Sequence, residues 1–169
     1  MYSTFVWLWL HLSVWWLGAT GYQSRHIQTP DGSLHYLSLQ GEGQLPPVLL
    51  LHGLGSQASD LYPVMQQLRP HVRKILAVDL PAHGLTQLSA QSLSLPQLQQ
   101  NLYAGLDQIL AQEPPVLLFG NSLGGLMALN YAQHNPSELA ALSLVSPAGA
   151  KLSPTSYREL EQIFLHESQ

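Results

Sequence analysis

The chain of 169 residues is long enough for one domain with a real core, and its 46% hydrophobic content excludes a wholly disordered protein. Six basic against ten acidic residues leave a net charge of −4 and no basic stripe to neutralise phosphates, which argues against a nucleic-acid partner. Cysteine is absent, so disulfides, thiolate metal sites and cysteine nucleophiles are excluded.

All four Trp stand near the start, at positions 7, 9, 15 and 16, within an apolar run over residues 5–19 broken by His11 and Ser13. As a helix this run is shorter than the ~20 residues a bilayer core requires. No Lys or Arg precedes it, so the basic opening of a signal peptide is missing. Trp favours the membrane–water interface. The run reads as a membrane anchor or interfacial helix, as a cleaved signal ending near Ala19-Thr20-Gly21, or as a helix packed on the protein. A misassigned start codon would also place such a run here. The expectation is membrane-surface contact through residues 5–19 and a membrane-associated or cell-envelope location, cytoplasmic otherwise.

From Gly21 onward the pattern is regular. Ser24 to Thr29 and Leu34 to Leu39 alternate around the turn signal Pro30-Asp31-Gly32, which predicts a β-hairpin. Val48 to His52 is a continuous apolar run, the mark of a strand buried on both faces. Ser59 or Asp60 is placed to cap a helix running to about Leu68. A second buried strand follows at Ile75 to Asp79. A helix capped by Ser94, with Pro96 in its first turn, extends to about Ala111. Val116 to Gly120 is a third buried strand. A helix from Ser122 to His134 is stopped by Pro136, and Ala140 to Val145 is a fourth buried strand. Short strands alternating with helices predict βαβ units and a mostly parallel sheet, with the hairpin adding antiparallel strands at one edge.

Ligands of open α/β sheets bind beyond the carboxyl ends of the strands. Those ends read His52-Gly53-Leu54-Gly55, Asp79-Leu80-Pro81-Ala82-His83-Gly84, Gly120-Asn121-Ser122-Leu123-Gly124-Gly125 and Ser146-Pro147-Ala148-Gly149. Gly120-Asn121-Ser122-Leu123-Gly124 fits G-x-S-x-G between a buried strand and a helix. A serine on such a strained turn is lifted above the sheet as a nucleophile, and side chains at Gly120 or Gly124 would collide with neighbouring backbone. The helix that starts there aims its N-terminal N–H groups at the site, so the backbone N–H of Leu123 is a candidate oxyanion donor. The loop after the Val48 strand is the place of the second donor, the N–H of Leu54. His52 and Gly53 shape that loop, and Asp79 and His83 support their own turn, rather than joining a catalytic triad.

These motifs, in this order and spacing, resemble the α/β-hydrolase superfamily in its hydrolase-1 branch. Asn135-Pro136-Ser137-Glu138-Leu139 and Leu142-Ser143-Leu144-Val145-Ser146-Pro147-Ala148-Gly149 resemble monoacylglycerol lipases and membrane-anchored bacterial lipases. The resemblance covers about Gln28 to Ser153. It implies Ser122 as nucleophile, Leu54 and Leu123 N–H as oxyanion hole, a small-molecule ester or lipid as substrate, and a leader that holds the protein near lipid. One departure is Ala82, where the family usually has Gly; if that position needs a positive φ, Ala is strained there by about 1 kcal/mol.

The second departure concerns the base. In α/β-hydrolases the acid and then the histidine follow the serine. After Ser122 the only acids are Glu138, Glu159, Glu161 and Glu167, and the only histidines are His134 and His166. None occupies a matching place. The resemblance therefore implies an incomplete α/β-hydrolase fold, with the last strands missing. Residues 1–21 would be the leader, 22–150 the N-terminal part of the hydrolase domain and 151–169 the start of a lid. The expected function is a serine esterase or lipase in truncated, nearly inert form. A non-catalytic hydrolase-like fragment is the alternative, as is a C–C bond hydrolase or perhydrolase on the same scaffold. No motif points to a metal or organic cofactor.

Overall fold

The computed structural model describes residues 20–90, 94–113 and 115–149, together with Leu12 and Gly18. Apart from Leu12, Gly18, Thr20 and Gly21, the expectations for the leader and for the lid segment lie outside the described residues. The turn at Pro30-Asp31 joins β1 (Gln23–Thr29) to β2 (Gly32–Gln40), paired antiparallel with Gln23 opposite Ser38 and Thr29 opposite Gly32. β3 (Val48–Leu51) leads through a 3-10 turn at Ala58–Leu61 into α1 (Tyr62–Leu68). β4 (Lys74–Val78) and the two-residue β5 (Gln87–Leu88) precede α2 (Leu95–Leu110). β6 (Val116–Asn121), α3 (Leu123–His134), a 3-10 turn at Pro136–Glu138 and β7 (Leu139–Val145) complete the described chain.

The strands form one sheet in the order β1-β2-β4-β3-β6-β7, with β5 attached to β2. β4, β3, β6 and β7 are mutually parallel, and β2 joins β4 antiparallel. This is the α/β architecture expected, and it puts the carboxyl ends of the four parallel strands along one edge, where the glycine-rich motifs lie. On one face, Leu49, Leu51, Leu76 and Val78 pack under Leu102, Leu106, Ile109 and Leu110 of α2. Those α2 positions recur at helical spacing, which is why this face of the helix is buried. On the other face, Leu37, Leu39, Leu50, Ile75 and Ala77 pack with Met65 of α1. Buried Asn101 ties α2 to the hairpin: its Oδ1 accepts from Asp31 N–H at 2.9 Å and its Nδ2 donates to Asp31 Oδ2 at 2.8 Å.

Four details differ from the expectation, the first being that β7, expected to be buried, is exposed along most of its length, because among the described residues β6 is its one strand partner. The turn before α1 is capped by Gln57, not by Ser59 or Asp60; Asp60 is the reciprocal partner, its carboxylate accepting the Gln57 N–H at 3.1 Å. β3 ends at Leu51, which leaves His52 in the loop, and β4 ends at Val78, just before Asp79. β2 is buried over much of its length despite its alternating sequence, because it lies inside the sheet with packing on both faces.

Candidate active site

Ser122 joins β6 to α3 with φ 50° and ψ −113°, a conformation that costs a residue with a side chain about 1–3 kcal/mol. The surrounding glycines make it possible. A Cβ at Gly120 would lie 2.5 Å from Gly124 O and 2.7 Å from Gly125 Cα; one at Gly124 would lie 2.4 Å from His52 O. β6, α3 and the loop after β3 therefore approach at backbone contact. The turn is clamped to the end of β7: Ser122 N–H donates to Val145 O at 3.0 Å, and Ser122 O accepts from Ala148 N–H at 2.9 Å.

The loop after β3 lies beside the serine, since a Cβ on Gly53 would be 3.4 Å from Ser122 Cβ. His52 is fully buried, with its Nδ1–H donating to Gly53 O at 2.7 Å and its Nε2 accepting from Leu80 N–H at 2.9 Å. Gly53 O also accepts from Ser56 N–H at 3.3 Å. With that carbonyl held on one side, the planar trans peptide directs the Leu54 N–H to the other. His52 thus orients the peptide that carries one candidate oxyanion donor. The other, Leu123 N–H, belongs to the first turn of α3, where N–H groups lack helical acceptors. Burial pushes the His52 imidazole below its ordinary pKa, against the opposing pull of the Gly53 hydrogen bond.

His83 braces the same loop. Its Nδ1–H donates to Pro81 O at 2.9 Å, its Nε2 accepts from Gly55 N–H at 3.2 Å, and its ring stands edge-on to His52 at 5.3 Å. Both nitrogens of both histidines are committed. Among the described residues no imidazole is hydrogen-bonded to Ser122 Oγ.

Asp79 is a hub. Its Oδ1 accepts from Ala58 N–H at 2.6 Å; its Oδ2 accepts from Leu85 N–H at 2.8 Å and from His35 Nδ1 at 2.7 Å. Burial disfavours its charge, yet the His35 contact and the two backbone donors outweigh burial and hold the carboxyl below its ordinary pKa. Gly84 makes room, because a Cβ there would fall 2.1 Å from Asp79 Oδ2. The carboxylate knots β4, the turn before α1 and the 80–86 turn behind the site.

Residues 46–167 match the alpha/beta hydrolase fold family. The chain belongs to that family. Among curated relatives of this alpha/beta hydrolase, monoacylglycerol lipase ABHD6 of Bos taurus is 31% identical over 140 residues, 82% of this chain and 41% of its own. The pimeloyl-[acyl-carrier protein] methyl ester esterase of Xylella fastidiosa (strain M12) is 34% identical over 111 residues, 66% of this chain and 40% of its own. A solved membrane phospholipase A, described as a bacterial virulence factor, superposes with a TM-score of 0.72 at 27% identity, over 94% of this chain and 52% of that one. The chain thus spans about two fifths of the length of the curated relatives it matches.

Within this alpha/beta hydrolase the structure brings together Ser122, Gly120, Gly124, Gly53 and His52, and it places His83 against the same loop. Asp79 stands behind them, joined through Leu80 to His52. His35 is the member that sequence reasoning missed. It is fully buried, and its Nε2 is 2.9 Å from Ser24 Oγ. Its only signal was one place in an alternating strand, which says nothing of a carboxylate 44 positions later. Among the described residues no group of three His, Cys, Asp or Glu is arranged to hold a metal.

Proposed function

We propose that this chain carries the nucleophile and oxyanion-binding half of a serine ester hydrolase acting on a small ester or lipid. The observation that carries the reading is the strained conformation of Ser122 between glycines that admit no side chain. In the reaction, Ser122 Oγ forms a bond to the acyl carbon while its proton passes to a base. The carbonyl oxygen, now negative, is held by the N–H groups of Leu54 and Leu123. The alcohol leaves with the proton, and water then hydrolyses the acyl-serine ester. The base and its orienting acid fall, in this reading, in the part of the relatives' length that the chain does not span. The leader at 5–19 meets a lipid surface, residues 22–150 supply the hydrolase part, and 151–169 open the lid.

A second reading, a non-catalytic hydrolase-like fragment, is favoured by the commitment of both nitrogens of His52 and His83. Hydrolysis of p-nitrophenyl butyrate separates the two. The 169-residue chain and its Ser122→Ala variant are expected to give equal, near-background rates, since loss of a triad member costs on the order of 10⁴–10⁶ in turnover. A chain extended to its relatives' length is expected to turn over and to lose that turnover with Ser122→Ala. An inert extended chain would establish the non-catalytic reading. Ser122-dependent turnover by the 169 residues alone would mean that a base lies within them.

A further inference from the structure

At the amino end of β4, away from the site, a cleft of about 460 Å³ is lined by Arg25, Arg69 and Lys74, half of the six cations of the whole chain. The chain is acidic overall, so this concentration is local. The sheet register places Gln23 opposite Ser38 and Gln40 opposite Lys74, which puts neutral hydrogen-bonding groups beside the cations. Two of the charges are offset at the rim: Lys74 pairs with Glu113, and Arg69 Nε lies 3.1 Å from Glu42 Oε1. The Arg69 Nε is nevertheless buried without an aligned hydrogen bond. Among the described residues Arg25 bonds the neutral Gln23 amide alone, through Nε and Nη2, which leaves three of its five N–H groups for a ligand. Ser38 lines the cleft and is 6% exposed.

A guanidinium fork, an ammonium and a hydroxyl around one cleft suit an anion with several acceptor oxygens. We propose that this cleft binds the phosphate of an anionic lipid head group. Gly21 lines the cleft, and all four Trp precede Gly21 in the sequence. The match in depth rests on the proposed lipid contact of the leader: Trp favours the depth of lipid head groups, which would bring the root of the leader and the phosphate to one level. The cleft is separate from the catalytic end: Lys74 and Asp79 bracket β4, about 16 Å of strand apart.

Vesicle flotation of the full chain tests this, with Arg25→Gln, Lys74→Gln and, as a control of equal charge outside the cleft, Arg73→Gln. On phosphatidylglycerol vesicles each cleft variant is expected to bind about fivefold more weakly, and Arg73→Gln much less so. On pure phosphatidylcholine all four proteins are expected to bind alike. Equal losses for Arg73→Gln and Arg25→Gln would mean diffuse attraction and overturn the proposal. A calorimetric titration with glycerol 3-phosphate separates the sources of phosphate. Loss of that binding in Arg25→Gln with unchanged vesicle binding would assign the cleft to a soluble phosphate ester, and loss in neither arm would overturn it. Thermal melting confirms folding; Arg25 is exposed on edge strand β1, and its removal leaves the core untouched.

Discussion

Ser122 and Ala82 hold the same kind of strain for different reasons. Both are non-glycine residues at positive φ, 50° and 64°. At Ser122 the strained residue carries a hydroxyl at the carboxyl end of β6. At Ala82 the side chain is a methyl with no such chemistry, and the turn needs only the backbone shape that Gly supplies without steric penalty. Ala82→Gly is therefore expected to stabilise the fold by about 1 kcal/mol, or about 2–4 °C in Tm, after the added freedom of the unfolded chain is deducted. An unchanged or lower Tm by calorimetry would show that the methyl has a packing role that outweighs its strain. This position was legible before the structure, because Asp79-Leu80-Pro81-Ala82-His83-Gly84 departs at one place from the pattern it resembles. The turn at Ser122 was legible for the same physical reason: glycines two places before and two places after a serine mean backbone contact. His35 was not legible, because its partnership with Asp79 is made only when β2 and β4 pair across 44 positions.

At the scale of elements, the loop between β3 and the turn before α1 is organised by one neutral imidazole. His52 donates a hydrogen bond from Nδ1 to Gly53 O and accepts one at Nε2 from Leu80 N–H, a pattern that protonation would break at Nε2. An unfolded chain takes up a proton at this residue near pH 6.5, whereas the buried imidazole resists until lower pH. Between those two values the unfolded state binds more protons, so stability is full above pH 6.5 and falls as pH falls through the window. His26, pushed down by partial burial and by nearby His35, adds to the slope with the same sign. Urea midpoints at pH 7.5 and 5.5 are expected to drop on acidification, and His52→Gln is expected to reduce that drop. A drop of equal size in the variant would assign the slope to other groups. Most element boundaries were legible from apolar runs and breakers. The Gln57 cap was not, because Gln is an uncommon cap and its preference came from a reciprocal bond with Asp60. The two-residue β5 carries too little pattern to be read at all.

For the whole molecule, strand order decides which surfaces remain bare. Sequence alternation identified parallel strands, but their order β4-β3-β6-β7 arises from crossovers that local pattern does not encode. Among the described residues that order puts β7 at the end of the sheet, with β6 as its one partner. Along most of its length β7 is exposed, with Leu142 and Val145 among the large apolar side chains open to solvent. Among the described residues nothing pairs with its outer edge, and an apolar open edge is a template for another chain. The 169-residue chain is therefore expected to self-associate through β7. A lysine on such an edge opposes pairing by charge and desolvation. Leu142→Lys is expected to raise the monomeric fraction several-fold in light scattering at fixed concentration. It is expected to shift Tm little, because residue 142 is already 36% exposed. The control is Leu45→Lys, an equally apolar and more exposed position away from the edge, 54% open to solvent. If both substitutions reduce association alike, the driving force is net surface hydrophobicity and not strand pairing. If only Leu142→Lys does so, the edge is the site of association.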